Sequence, residues 1–269
     1  MEAAGDAEDR RTGNRSRRWW RIGAIAAAIA SLAIAVAAAR PTPDPPKLAR
    51  QQARLLEPAV VVRRDPPPVP VRTTIATVTG AVPYFARPGG RPVGTIPIDS
   101  WWGLTKQLPV VAAAPGWLEV RLPQRPNGLT GWIRAGQARL SSTVWGIYID
   151  LRTRRVVLYR SGRPMGNFPA GIGTPTDPTP TGHFYVMRIE ASAGPGWGPF
   201  IIDTNAHSEA IQSWEGSGDA FTALHGPLGM DAAIGTTGAA ISHGCIRLHD
   251  ADLARLAPVP PGAPVVIIG

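Results

Sequence analysis

A chain of 269 residues with 29 prolines, 30 glycines and 44% hydrophobic residues has room for two modest domains, but is too rich in turn formers for a helical bundle. Its single cysteine excludes an intramolecular disulfide, so stability rests on packing and the thiol is either a small buried hydrophobe or a reactive group. Residues 1–39, 40–142 and 143–269 carry charge balances of +2, +9 and −2, so a basic nucleic-acid groove in the C-terminal segment is not supported. The basic middle segment fits either attraction to an anionic surface or a solvated Arg-rich stalk.

Residues 1–21 form a basic tail in which Arg10, Arg11, Arg15, Arg17, Arg18 and Arg21 precede the uncharged run IGAIAAAIASLAIAVAAA at 22–39. That run is long enough to cross a bilayer once as a helix, and Trp19 and Trp20 stand at its interface. The expectation is a single-pass anchor with its N-terminus in the cytoplasm and the rest of the chain on the periplasmic or wall side. A cleavable signal segment ending at Ala37-Ala38-Ala39 is the alternative, and it too exports the remainder, as a secreted protein.

Residues 40–72 are Pro-rich and read as an extended linker, with a short helix possible over 47–57. From 73 to 140, short apolar runs alternate with turn pairs such as Pro115-Gly116 and Asn127-Gly128, the spacing of a small antiparallel β-barrel or sandwich. Its ending, Trp117-Leu118-Glu119-Val120 followed by Gly131-Trp132-Ile133, resembles the bacterial SH3-like module found beside wall-acting enzymes. Wall binding and a rigid spacer are the two functions such a module would serve.

Residues 143–269 are again strand-rich. Ile147 and Ile149 alternate with polar neighbours, a turn near Thr153 leads into Val156–Tyr159, and His183–Met187 and Val265–Ile268 read as further strands. One helix is expected, from Asp250 as N-cap to Ala257 before Pro258. The chemistry gathers in Ser242-His243-Gly244-Cys245-Ile246-Arg247, with His225-Gly226 upstream. A thiol becomes nucleophilic when a histidine or a positive field stabilises its thiolate, and acyl transfer also needs N–H donors for the oxyanion. The hexapeptide offers all three.

These residues resemble the YkuD-type L,D-transpeptidase catalytic domain, whose signature is a His, a gap of some fourteen to seventeen residues, then Ser/Thr-His-Gly-Cys, a hydrophobic residue and Asn or Arg. Sixteen residues separate His225 from Ser242, and Thr179-Pro180-Thr181-Gly182 matches a turn the family carries. The resemblance implies a mainly β chain: a YkuD-type β-sandwich or barrel with a short helix, behind a small SH3-like barrel and one transmembrane helix. It implies that Cys245 attacks the third residue of a peptidoglycan tetrapeptide stem and expels D-Ala, with His225 as general base. His243, Gly244 and the Cys245 N–H would shape the oxyanion site. Arg247 would recognise a carboxylate, and Ser242 and Gly226 would complete the substrate site. No metal or organic cofactor is implied.

Several alternatives stay open. Arg247 in an ion pair with Asp250 or Asp252 would be structural. Zinc on His225, His243, Cys245 and His249 is a rival, although the first His stands apart from the others. A non-enzymatic wall-binding protein is another. Acceptor choice, an amine for cross-linking or protein anchoring against water for an L,D-carboxypeptidase, lies in the loops 191–200 and 208–219. His183, His207 and His249 are expected to be ordinary loop or strand residues. Oligomeric state carries no signal.

Overall fold

The computed structural model describes residues 68–97, 106–214 and 216–269. The expected basic tail, membrane segment 22–39 and nearly all of the linker lie outside the described residues. Among the described residues no helix is long and apolar enough to cross a membrane.

The first unit is one antiparallel sheet of seven strands: β1 (Thr73–Val78), β2 (Val82–Phe85), β3 (Pro92–Ile96), β4 (Lys106–Ala114), β5 (Trp117–Arg121), β6 (Thr130–Arg134) and β7 (Arg139–Thr143). Their order across the sheet is β3-β2-β6-β5-β4-β1-β7. The last strand runs to Thr143, past the expected end at 140, because Arg139–Thr143 pairs along β1. Alternate side chains, among them Val78, Ile96, Leu108, Val120 and Ile133, bury to form the core.

Ten further strands follow: β8 (Trp145–Asp150), β9 (Arg155–Arg160), β10 (Arg163–Pro169), β11 (Gly171–Gly173), β12 (Gly182–Ala191), β13 (Phe200–His207), β14 (Phe221–His225), β15 (Ala239–Ser242), β16 (Ile246–Arg247) and β17 (Pro264–Ile268). They form one mixed sheet in the order β10-β9-β8-β17-β12-β13-β14-β16-β11-β15. The C-terminal strand β17 lies between β8, parallel to it, and β12, antiparallel to it. That central place explains why Pro264–Val266 and Ile267 are all apolar and buried.

Strand β12 explains itself in the same way. Phe184 and Val186 face the core of the second sheet, while Tyr185 and Met187, on the opposite face, join the core of the first. The unbroken apolar run Phe184–Met187 is therefore the mark of a strand covered on both sides. Burial of Tyr185 pushes its phenol pKa well above the ordinary value. The end of the linker is drawn in as well: Val69 is buried and sits against Gly146.

The expected helix is shorter than its apolar pattern suggests. The helices are α1 (Asp231–Ile234) and α2 (Asp250–Ala254), and His249, not Asp250, stands at the N-cap of α2 with no side-chain cap. From Ala254 the chain continues to Val259 in tight turns, Leu256 N–H to Leu253 O and Val259 N–H to Leu256 O. Pro258 and Pro260 cannot donate and disfavour helical geometry in the residue before them, so α2 cannot extend.

Candidate active site

Parallel pairing of β14 with β16 sets His225 beside Arg247, and Cys245 directly precedes β16. The long spacing in the sequence is thus a crossover through α1 and β15 that returns the thiol segment to the histidine strand. His225, Ser242, His243, Cys245 and Arg247 all line one cleft of about 350 Å³. Gly226 and Gly244, expected in the substrate site, are buried and are not among the residues that line it.

His225 is 2% exposed and its Nδ1 lies 2.7 Å from the Gly226 carbonyl. A carbonyl only accepts, so Nδ1 carries the proton and Nε2 of the neutral ring keeps its lone pair. Desolvation by burial lowers the imidazole pKa to about 4, with the Arg247 charge acting in the same direction. The Trp197 ring lies 4.7 Å from the His225 ring, centroid to centroid. Its loop is tied down by Gly226 N–H to Trp197 O at 2.8 Å and Leu228 N–H to Gly196 O at 2.9 Å. Gly226 has to be glycine, because a Cβ there would meet the backbone of Gly196, Trp197 and Gly198.

Cys245 is partly buried, with Sγ 4.0 Å from the Phe221 carbonyl. Burial raises the thiol pKa, and the Arg247 charge opposes that rise. The loop carrying it is pinned from beneath by two hydroxyls. Ser242 Oγ accepts from Gly244 N–H at 3.2 Å and donates to the Cys245 carbonyl at 2.6 Å. Thr179 Oγ accepts from Gly173 N–H and donates to the Gly244 carbonyl, both at 2.9 Å. Gly244 sits at φ 111°, a conformation that favours glycine. Its N–H is already engaged by Ser242 Oγ.

His243 is exposed, with Nδ1 2.7 Å from Asp177 Oδ2 and its ring 5.9 Å from that of Trp214. Arg247 makes no ion pair with Asp250 or Asp252 among the described residues, and its Nε is buried without a hydrogen-bond partner there. The ion pair considered for Arg247 is therefore not formed among the described residues. The four proposed zinc ligands do not converge either. His249 pairs with Asp231 at 2.9 Å, and no group of three His, Cys, Asp or Glu side chains among the described residues is arranged to hold a metal.

Several lining residues had no sequence signal. Arg188 bridges Asp203 and Glu190, each at 2.7 Å, on the strands β12 and β13. Burial raises the Asp203 carboxyl pKa, and Arg188 opposes that. Both loops expected to govern the acceptor reach the cleft, through Ala193 and Trp197 and through Ser208, Ile211 and Trp214.

Fold and cleft together define a mainly β domain that holds a thiol and a neutral imidazole in one pocket. Residues 145–267 match the family model of YkuD, the L,D-transpeptidase catalytic domain. The YkuD protein of Bacillus subtilis (strain 168) is 27% identical over 122 residues, covering 45% of this chain and 64% of that protein. The chain thus spans just under two thirds of that relative's length. The YkuD protein of Bacillus licheniformis is 26% identical over 154 residues, 55% of this chain and 83% of that protein. Among solved structures, an L,D-transpeptidase from Mycobacterium smegmatis is 17% identical with a TM-score of 0.37, covering 61% of this chain and 90% of that one. The catalytic domain of the Enterococcus faecium L,D-transpeptidase acylated by ertapenem is 24% identical with a TM-score of 0.34, covering 46% and 96%.

Proposed function

We propose that the chain is a peptidoglycan L,D-transpeptidase in which Cys245 is the nucleophile and His225 the general base. The observation that carries this reading is the state of His225: Nδ1–H is committed to the Gly226 carbonyl, so the free lone pair is on Nε2, in the cleft it shares with Cys245. Because burial raises the thiol pKa and lowers the imidazole pKa, the resting pair is neutral. The thiol proton passes to Nε2 as Sγ bonds to the carbonyl carbon of the third stem residue. The Cys245 N–H stabilises the oxyanion. Collapse breaks the C–N bond to D-Ala, and the imidazolium gives its proton to the leaving amine. An acceptor amine then attacks the thioester, yields its proton to Nε2 and releases the thiol. Arg247, whose buried Nε has no hydrogen-bond partner among the described residues, recognises a substrate carboxylate. His243, held by Asp177, shapes the rim.

The first β unit is read as the SH3-like module, and residues 22–39 as a single-pass anchor that leaves the cleft on the wall side of the membrane. Incubating the chain with purified disaccharide-tetrapeptide and weighing the products tests the reaction. Loss of D-Ala with formation of a cross-linked dimer is expected. A tripeptide alone indicates water as acceptor, and unchanged substrate refutes the reading.

A further inference from the structure

The turn that joins β5 to β6 reaches out of the first unit and into the wall of the cleft. Arg125 Nε donates to Asp219 Oδ1 at 2.9 Å, Nη1 to the Ser208 carbonyl at 2.8 Å and Nη2 to the Ile211 carbonyl at 3.3 Å. Two residues on, Asn127 Nδ2 donates to the His207 carbonyl at 2.8 Å while His207 N–H donates back to Asn127 Oδ1 at 2.9 Å. The His207 ring bridges the same seam, with Nε2 2.9 Å from the Pro123 carbonyl and Nδ1 2.9 Å from Asp219 Oδ2. Asn205 Nδ2 adds a bond to the Leu122 carbonyl at 3.2 Å.

The three Arg125 contacts end on the segment between β13 and β14 and the others on Asn205 and His207 at the end of β13, and the segment's residues Ser208, Ile211, Trp214 and Asp219 line the cleft that holds Cys245. Asp219 is the hub, since Oδ1 accepts from Arg125 and from Ala220 N–H while Oδ2 faces His207. The segment's described residues form no helix or strand. It is held by turns of its own, among them Ser208 N–H to Ala220 O at 2.8 Å, Trp214 N–H to Asp219 O at 2.9 Å and Gly218 N–H to Ser213 Oγ at 3.0 Å. These turns fix the segment locally, and the planar Arg125 fork adds three ties at once that fix it against the first unit. The two units behind it are not loosely tethered, because Tyr185 of β12 is buried in the first unit's core.

We propose that the first β unit is a built part of the substrate cleft, and that Arg125 is a positioning residue which sets the 208–219 wall against the donor stem peptide. This rests on reading the cleft as a stem-peptide site. A separately acting wall-binding module would not need its turn bonded to the rim of another domain's cleft.

The test compares wild type with Arg125→Ala, Arg125→Lys and Asn127→Ala in the full chain. Amide hydrogen exchange is followed over 208–220, kcat and KM are measured with disaccharide-tetrapeptide, and Cys245 is alkylated with iodoacetamide, a reagent too small to need the wall. Arg125→Ala should speed exchange over 208–220 while β12 and β17 stay protected. It should raise KM roughly 10–100-fold with kcat changed much less. Alkylation should stay within about twofold of wild type. Arg125→Lys, which keeps the charge but loses the fork, should fall between. Should Arg125→Ala fail to fold, Arg125→Lys and Asn127→Ala decide the matter by the same readouts. Unchanged exchange, or faster exchange with unchanged KM, overturns the proposal. A wild-type chain that does not turn over the tetrapeptide fails the reading of the cleft before any variant is compared, and takes the proposal with it.

Discussion

Acid should destabilise the folded chain through His225 in a way that can be isolated. The buried imidazole has a pKa of about 4 against an ordinary 6.5. Above the ordinary value neither the folded nor the unfolded chain holds a proton there, so stability is unaffected. Between the two values only the unfolded chain takes the proton, and falling pH draws the equilibrium towards it. Below about 4 both states are protonated and the loss is complete. At about 1.4 kcal/mol per pKa unit the gap amounts to about 3 kcal/mol, a sizeable fraction of a domain's stability. His225→Gln removes the titration while leaving a side chain of similar length. Urea denaturation of both proteins at steps from pH 8 to pH 4 measures the difference, since the carboxylates they share cancel. Wild type should lose about 3 kcal/mol more than His225→Gln, nearly all of it below pH 6.5. Parallel curves would refute the neutral, desolvated histidine on which the base assignment depends.

Arg247→Lys should slow turnover of stem peptide while circular dichroism stays unchanged, because an ammonium cannot reproduce a bidentate carboxylate contact; unaltered kinetics would assign Arg247 to structure. Thr179→Val strands the Gly173 N–H and the Gly244 carbonyl, at a cost of about 1–3 kcal/mol each in denaturation, and should slow acylation of Cys245 by loosening its loop. Gly226→Ala forces the 196–198 backbone away and with it the Trp197 ring, so NMR titration should find the His225 pKa moved up towards its ordinary value.

How much of this was legible in the sequence depends on how far apart the partners lie. Ser242, His243, Gly244 and Cys245 are neighbours in the chain, and their loop is built from local bonds such as Ser242 Oγ to the Cys245 carbonyl. His225 was legible through the family's fixed spacing to Ser242, which the structure realises as a short crossover to the parallel strand β16. The strands followed from their apolar alternation, whereas the burial of β12 on both faces depends on the first sheet packing against it. The Arg125 contact to Asp219 spans 94 residues, and no periodicity or motif announces a pairing of that kind. His207, read as an ordinary loop or strand residue, is 1% exposed and bonded at both ring nitrogens. Trp197 against His225 depends likewise on a loop fold that glycines permit but do not specify. The helix α2 was misjudged at both ends, since its apolar pattern persists through turns that prolines keep from being helical.

Intact-mass spectrometry of the chain after treatment with a carbapenem, whose strained lactam stands in for the donor carbonyl, bears on the thiol chemistry most directly. The sequence holds one cysteine, so no second thiol can take up the label. Wild type should gain a single inhibitor mass, Cys245→Ser should gain none or react far more slowly, and His225→Ala should be slowed by about 10²–10⁴. Acylation of Cys245→Ser at the wild-type rate would show that the nucleophile lies elsewhere, and a His243→Ala variant that fails to react while His225→Ala reacts normally would show that the base does.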